Sequence, residues 1–500
     1  VVKHLQQWNK KYFKYHEKYG EYAAWWSGSS EELLNYYLGV DTYQQYTVND
    51  YNLEKQGLFW EKDIHNDRST MLHVPIAGDI ASTSADFLFS EMPDVKIPEA
   101  HEETAASDAT DAQDRLNIII EEGDVYSRLL EGAETTSAMG GVFVKLDWDA
   151  DVKDFPIPIM VQPDNAMWEF KWGFLQSVKF FKVIDHPDNN VYYRLVETRT
   201  KDDNGKGVIL NELYKGTMTK LGTKIPLEQH PDTAGMEEVI EHGLDSLLAW
   251  YVPNKKPNRL WRGSALGESD LQGIIGLMDA IDETYTNWVR DLRIARGRII
   301  VPEYMLETDN NGNLYHDMDK EVFVALNQGP AGEENNSIDN VQFDIRAQQH
   351  YDTAKELMKQ AYSGAGYSPA SFGLGDSTSN ATATEIKQQQ SKSFKTSAKK
   401  AKYWTSTLED MFYWMLQVDN YAFGSNNADY KVQVNIQDSV QTDPMQKADS
   451  INKLVQAKAM SIDTTVRQLH PEWNEKQVEN EVNRIMQENG MAVNEPDDLV

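Results

Sequence analysis

LGESDLQGIIGLMDAIDETYTNWVRD, residues 266–291, decides the fold of this 500-residue chain. Leu271, Ile274, Met278, Ile281, Tyr285, Trp288 and Leu292 recur at alternating spacings of three and four, an a/d seam sustained for three heptads. The spacing predicts a helix over 267–298, ~45 Å long. Downstream, RIIVPEY (298–304), EVFVAL (321–326) and NVQFDI (340–345) read as short strands, separated by the turn DNNGN (309–313) and the loop GPAGEENNS (329–337). A second helix is expected over 347–362, with Tyr351, Ala354, Met358 and Ala361 on one face. Two helices flanking a small β insert describe a stalk with a tip. The seam should be buried.

SGAGYSPASFGLGDSTSN (363–380) is rich in Gly and Ser, contains Pro369 and has no Lys or Arg, so it reads as a mobile loop. A long helical pattern then runs from near Asn380 to about Tyr421, ~60 Å if unbroken. From Ile386 to Leu408 it carries six lysines and no Asp or Glu. Lys392, Lys395, Lys399 and Lys402 share one face, with Phe394, Ala398, Ala401, Leu408, Phe412 and Met415 roughly opposite. That basic face is solvated, pairs with acidic residues of an adjacent copy, or touches a polyanion; Lys387 joins it in the last reading. Two other basic groups stand out. Arg290, Arg293, Arg296 and Arg298 crowd the end of the seam helix, where the helix dipole welcomes cations. Lys255, Lys256, Arg259 and Arg262 lie in a Pro-rich loop that reads as solvated.

Upstream, residues 1–60 are crowded with aromatics, among them Trp8, Tyr12, Phe13, Tyr15, Tyr19, Tyr22, Trp25 and Trp26. They read as a helical arm packed on the body or on a neighbour, with a ligand cage as the other reading. HVPIAGDIASTSADFLFSEMP (73–93) predicts a helix that Pro93 stops. Glu91 to Asp124 holds eleven acidic and two basic residues, and EAHEETAASDATDAQDRL (99–116) reads as a solvated loop entering a helix. Residues 141–225 break into short β-branched and aromatic runs with turn chemistry at DDNGKG (202–207), so a β-rich module of antiparallel strands is expected. After Gly424, YKVQVNIQD leads into a helical hairpin that Gly490 stops.

Composition excludes several function classes. The formal charge is −31, so duplex DNA cannot be coated by the whole surface, because binding needs Lys and Arg to displace counterions. The chain has no cysteine, which removes disulfides, thiolate metal sites and cysteine nucleophiles. There is no GxxxxGK[ST]; Gly205-Lys206 sits in a hairpin turn. Gly263-Ser264-Ala265-Leu266-Gly267 lacks the nucleophile-elbow spacing, and none of the eleven histidines falls in HExxH. DWDAD (147–151) fails as a calcium loop, with Val152 sixth and Pro158 twelfth. No cofactor, no metal and no enzymatic activity are expected. No apolar run approaches the ~20 residues of a membrane span, and VVKHLQQWNKKYF (1–13) lacks an apolar signal core. The sequence opens on Val1, not Met, and trimming at one or both ends is expected.

The element order resembles that of the portal proteins of tailed double-stranded DNA phages, of the long-tailed type found with Gram-positive hosts. The resemblance rests on HVPIAGDIASTSADFLFSEMP, on GGVFVKLDWD (140–149) with VQPDNAMWEFKWGFLQSVKFF (161–181), and on the seam helix. It rests too on ATATEIKQQQSKSFKTSAKKAKYW (381–404) and VNIQDSVQTDPMQKADSINKLVQAKAMSIDTTVRQLHP (434–471). It implies an α+β, mainly helical fold of wing, stem, clip and crown, assembled as a ring around a central channel. Residues 1–266 would form the N-terminal arm and wing, with its β-rich part at 141–225. Residues 267–298 and 347–362 would be the descending and ascending stem helices. Residues 299–346 would be the clip, 363–380 the tunnel loop, 381–424 the long helix of wing or crown, and 425–500 the strand and crown helices.

The resemblance also implies partners and roles. A dodecameric ring of this chain would sit at one capsid vertex, passing double-stranded DNA during packaging, head–tail joining and ejection. It would meet the terminase motor, a head-completion or adaptor protein and the major capsid protein, and no membrane. It would be assembled in the host cytoplasm and end in the virion. Ser368, Ser371, Phe372, Ser377, Thr378, Ser379, Asn380, Lys387, Lys392 and Lys395 would line the channel. The seam residues Leu271 to Leu292 would make stem contacts between subunits. Glu303, Tyr304, Asn311, Glu333, Glu334 and Asn335 would dock clip partners. The alternatives are another structural head–tail connector or adaptor, or a DNA-packaging enzyme.

Overall fold

The computed structural model describes residues 10–38, 58–61, 71–98, 103–188, 191–217, 220–294, 298–300, 307–308, 314–315, 339–341, 346–375, 383–427, 429–436, 451–457, 460–469 and 475–488. They divide into two compact units, 1–376 with 389–436, and 377–388 with 437–500.

The first unit opens with helices α1 (Lys10–Trp26) and α2 (Ser30–Leu38). Their aromatics are core, not cage. Tyr12, Tyr19, Tyr22 and Trp25 are buried, and Tyr12 and Tyr15 meet Trp168 edge-on at 5.2 and 5.7 Å. Helix α3 (Ile76–Leu88) buries Ile76, Ile80 and Leu88 on one face, as its spacing predicts. Helix α4 (Glu103–Glu122) starts inside the acidic stretch expected to be a loop. Ala105, Ala106, Ala109 and Ala112 are strong helix formers, and carboxylates near an N-terminus suit the dipole. Helix α5 (Val125–Met139) ends at Gly140, whose φ is +86°.

Strand β1 (Asp94–Lys96) pairs with β15 (Gln433–Asn435). Strands β2 (Gly141–Asp147) and β3 (Ile157–Val161) join β10 (Ala249–Pro253) in an antiparallel sheet with β2 central. The larger sheet runs β4 (Ala166–Lys171), β5 (Phe174–Asp188), β6 (Val191–Lys201), β7 (Gly207–Gly216) and β8 (Thr223–Ile225), with β9 (Val239–Glu241) also on β7. The β6–β7 turn is the predicted one: Asp202 Oδ1 accepts from the Asn204 and Lys206 amides, and Gly205 has φ +83°.

Helix α6 (Ile275–Ile294) and helix α7 (Ala347–Ala365) bracket two short antiparallel pairs. These are β11 (Arg298–Ile300) with β14 (Asp339–Val341), and β12 (Glu307–Thr308) with β13 (Leu314–Tyr315). EVFVAL lies outside the described residues. Helix α8 (Ala383–Phe423) runs 41 residues. One core joins the arm, α3, the larger sheet and the start of α6; the other packs α4, α5 and β2 on Trp404, Leu408, Met411, Phe412 and Met415 of α8.

In the second unit, α9 (Ile462–Leu469) and α10 (Glu475–Glu488) pack through Val466, Val478 and Val482.

Candidate functional site

The helix of the seam begins eight residues later than its spacing suggests, and the reason is chemical. Asp270 is fully buried in the turn before α6. Its Oδ2 accepts from Ser137 Oγ (2.6 Å), Tyr367 OH (3.0 Å) and Lys400 Nζ. Its Oδ1 accepts from Asn254 Nδ2 (2.9 Å) and faces Lys255 Nζ at 3.0 Å. The Asp270 amide donates to Ser137 O (3.0 Å), so this backbone serves a tertiary network and not a helical ladder. Gly273 follows with φ +87°. Burial alone would push the Asp270 carboxyl up, but the Lys400 and Lys255 charges and the hydrogen bonds outweigh it and hold it well below the usual carboxylate range. Lys400 is equally buried and also donates to Ser84 Oγ (2.8 Å) and Tyr367 OH (2.7 Å). Desolvation pulls its ammonium down to about 8 against the pull of Asp270. One ion pair thus ties α3, α5, the turn before α6, the segment after α7, and α8.

Close backbone approach completes this junction. A Cβ on Gly267 would lie 2.2 Å from Gly140 O, and one on Gly364 2.7 Å from Ile274 Cγ2. The basic loop at 255–262 is solvated as expected at Lys256, Arg259 and Arg262, while Lys255 turns inward to Asp270. Arg259 also forks onto Glu268 through its amide (2.8 Å) and Nε (3.0 Å).

Along the seam, Leu271, Ile274, Met278 and Ile281 are buried within the chain, Tyr285 and Trp288 are half-buried, and Leu292 is 47% exposed. Apolar cover therefore runs out toward the β insert. Trp288 stacks on His350 of α7 (6.1 Å, 9°), and Asp291 accepts from His350 (3.0 Å) and Arg346 Nη2 (2.8 Å). With Gly364 against Ile274 at the other end, the two helices run antiparallel. The other face of α6 holds the arm. Asp282 accepts from Trp60 Nε1 (2.9 Å), the Val74 amide (2.8 Å) and His73 Nδ1 (2.8 Å), and Asp279 from the Phe59 amide (2.8 Å). Arg290 and Arg293 face solvent.

The first half of the Gly/Ser stretch is strapped down. Residues 363–365 complete α7, and Pro369–Phe372 form a 3-10 turn. Ser368 donates through its amide to Ser393 Oγ (2.9 Å) and through Oγ to Gln389 O (2.5 Å). Ser371 Oγ meets Ser393 Oγ (2.8 Å), Thr396 Oγ1 donates to Gly366 O (2.6 Å), and Phe372 stacks on Tyr362 (3.8 Å, 8°). Ser368, Ser371 and Phe372 are thus engaged within the chain. Ser377, Thr378, Ser379 and Asn380 lie outside the described residues.

On α8, Lys392, Lys395, Lys399 and Lys402 are exposed together, and Lys392 Nζ donates to Ser363 O (2.7 Å). Lys387 lies on the helix, its side chain undescribed. The expected apolar face is buried at Leu408, Phe412 and Met415, but nearer the start of the helix polar residues take its place. Ser393, Ser397, Lys400, Trp404 and Leu408 are buried, whereas Ala398 is exposed. Apolar periodicity passes over such a face, because serines and a lysine fill it by serving buried backbone and carboxylate groups. Asp270, Lys400, Asp279 and Asp282 were missed for that reason. Glu303, Tyr304, Asn311, Glu333, Glu334 and Asn335, expected to dock partners, lie outside the described residues. Among the described residues, no group of three or more His, Asp or Glu could hold a metal ion, and no helix is long and apolar enough to cross a membrane.

Paired helices around a β insert, a strapped loop and a 41-residue helix held by a buried ion pair define an architectural protein, built to keep long segments in fixed relation. The family profile described as Phage portal protein, SPP1 Gp6-like matches residues 29–495, and the chain belongs to that family. Comparison with curated proteins gives no match. Solved structures similar to this chain include the neck of a native GTA particle computed with C12 symmetry, 11% identical, covering 82% of this chain and 93% of that one, TM-score 0.41. The virion of a native gene transfer agent (GTA) particle is 11% identical over 81% of this chain and 93% of that one, TM-score 0.40. The neck of an empty GTA particle computed with C6 symmetry is 11% identical over 80% and 91%, TM-score 0.41.

Proposed function

We propose that the chain assembles as a ring, a dodecamer in the resemblance drawn from its sequence, and that duplex DNA passes through the ring at one capsid vertex. The observation that carries this is the graded seam of α6, buried within the chain from Leu271 to Ile281 and open at Leu292. A helix pair that leaves apolar surface at one end has a use for a neighbour there, and identical stems side by side supply it. Tyr285, Trp288 and Leu292 are the stem contacts between subunits. The ring is a structural conduit without catalysis of its own, assembled in the host cytoplasm and carried into the virion.

In this reading α6 and α7 are the stem, the β insert is the clip, and residues 363–380 are the tunnel loop. The clip, through Glu303, Tyr304, Asn311, Glu333, Glu334 and Asn335, docks the terminase motor and later an adaptor; the wing meets the major capsid protein. The exposed lysine row of α8 beside the loop touches phosphate transiently. Replacing Lys387, Lys392, Lys395, Lys399 and Lys402 by Ala, singly and together, tests this. The expected result is rings that assemble but package or retain less DNA. Rings that fail to form assign the row to subunit contacts, and normal rings with normal DNA content contradict any role in the channel.

A further inference from the structure

Strands β4 and β5 join through two residues, Trp172 and Gly173, with φ +51° and +86°. A tight turn of that hand matches the twist of its strands, which accounts for the glycine. It does not account for the tryptophan, a bulky residue in a conformation that Asn or Asp adopts with less strain. Trp172 is 89% exposed and Phe174 74%, the two most exposed large apolar side chains among the described residues. A Cβ on Gly173 would meet nothing within 4 Å. The base of the hairpin is fixed: Trp168, Val178 and Phe180 are buried, and Trp168 stacks on Phe143 (5.7 Å, 28°). A rigid strut at the edge of the larger sheet thus holds two aromatic rings out in water.

Charge selects the occupant. Residues 166–183 carry Lys171, Lys179 and Lys182 against the single Glu169, inside a chain of formal charge −31. The hairpin is a basic, aromatic spot on an acidic molecule, so another copy of the same chain offers it the complementary field. A ring contact is heterologous, joining one patch to a different patch of the next subunit, so the spot needs no self-complementarity. We propose that the β4–β5 tip is a subunit-joining knob, with Trp172 and Phe174 of one protomer seated in an apolar recess of the next and Lys171 meeting a carboxylate at its rim. This rests on the ring reading above.

The chain lacks cysteine, so Trp172→Cys carries a single thiol. Labelled with a benzophenone maleimide and irradiated in assembled rings, it is expected to join protomers into a ladder of covalent multimers, and the crosslinked peptide locates the recess. The double variant Trp172→Ser, Phe174→Ser is expected to raise the protein concentration for half-assembly at least tenfold. The melting of its unassembled chain stays unchanged, because neither ring serves the core. Assembly at the wild-type concentration by the double variant overturns the proposal. So does a label that joins no second copy, or only a different protein when particles form in infected cells. A wild-type chain that forms no ring contradicts the ring reading itself, and this shows before either variant is made.

Discussion

At the scale of single residues, the junction turns on a carboxylate ringed by five donors. Asp270 is held by Lys400, Lys255, Ser137, Tyr367 and Asn254. Removing one member of a buried pair strands the other charge, which typically costs ~3–5 kcal/mol. The two sides of this pair are unequal. Lys400→Met leaves Asp270 with Lys255, whereas Asp270→Asn leaves two ammonium groups facing a neutral amide. Denaturant titration should therefore find Asp270→Asn the more destabilising, with Lys400→Met near ~3 kcal/mol; the reverse order would contradict the geometry. A pH profile follows from the buried groups. His16 and His242 are lowered by burial from 6.5 to about 4, so they cost stability as pH falls through that window. Asp164 and Asp279 are raised by burial from 3.8 to about 6, so they return stability over nearly the same window. The two effects nearly cancel between pH 6.5 and 4. Below that, Glu197 and Asp270 act together: burial opposes the charge of Glu197, but Arg199 and Lys145 hold it at about 2, down from 4.5. Its stabilising effect is present above pH 4.5 and is lost toward pH 2, together with that of Asp270, on the order of 3 kcal/mol or more. Urea midpoints measured in pH steps should be flat from 6.5 to 4 and then fall; a steady decline from pH 6.5 would overturn this balance.

Among the elements, α6, the proposed stem helix, is where what one chain stabilises can be separated from what an assembly would stabilise. Trp288 is half-buried against Tyr285 and His350, so Trp288→Ala in the dissociated chain should cost ~1–2 kcal/mol, less than the ~3–5 kcal/mol of a fully buried site. Further loss should appear only when the unfolding of assembled rings is measured; equal losses in both states would mean that Trp288 meets no neighbour. This seam was legible in the sequence because Leu271 to Ile281 are apolar at helical spacing, and strands such as β5 and β6 because their runs are β-branched and aromatic. The start of the helix was not legible. Leu271 and Ile274 already carry the apolar pattern, yet Asp270 draws the backbone around it into a tertiary network that no local rule encodes. The same holds for α8, where Ser393, Ser397 and Lys400 read as surface but are buried, and for α4, where acidic residues read as a loop although alanines carry the helix. Polar burial depends on partners distant in sequence: Lys400 and Asp270 are 130 residues apart.

For the whole molecule, element order was the readable quantity: helix, β insert, helix, Gly/Ser loop, long helix. It survives in the fold because each transition is marked by local chemistry, such as the Gly/Ser stretch and the start of the lysine row. Subunit number is not legible, since it depends on an angle between copies that no single chain contains. In the proposed ring the charge of −31 would be multiplied around the assembly, and an acidic wall would let a polyanion slide without being held. Exposed lysines of α8 and the basic β4–β5 hairpin are local exceptions to that field, and the account gives them separate tasks, DNA contact and subunit joining. Both tasks presuppose the ring. Electron microscopy of the purified full chain tests this most directly. The account predicts uniform particles of closed rotational symmetry with a central hole wide enough for duplex DNA. Compact particles with no hole at every concentration tried would contradict it.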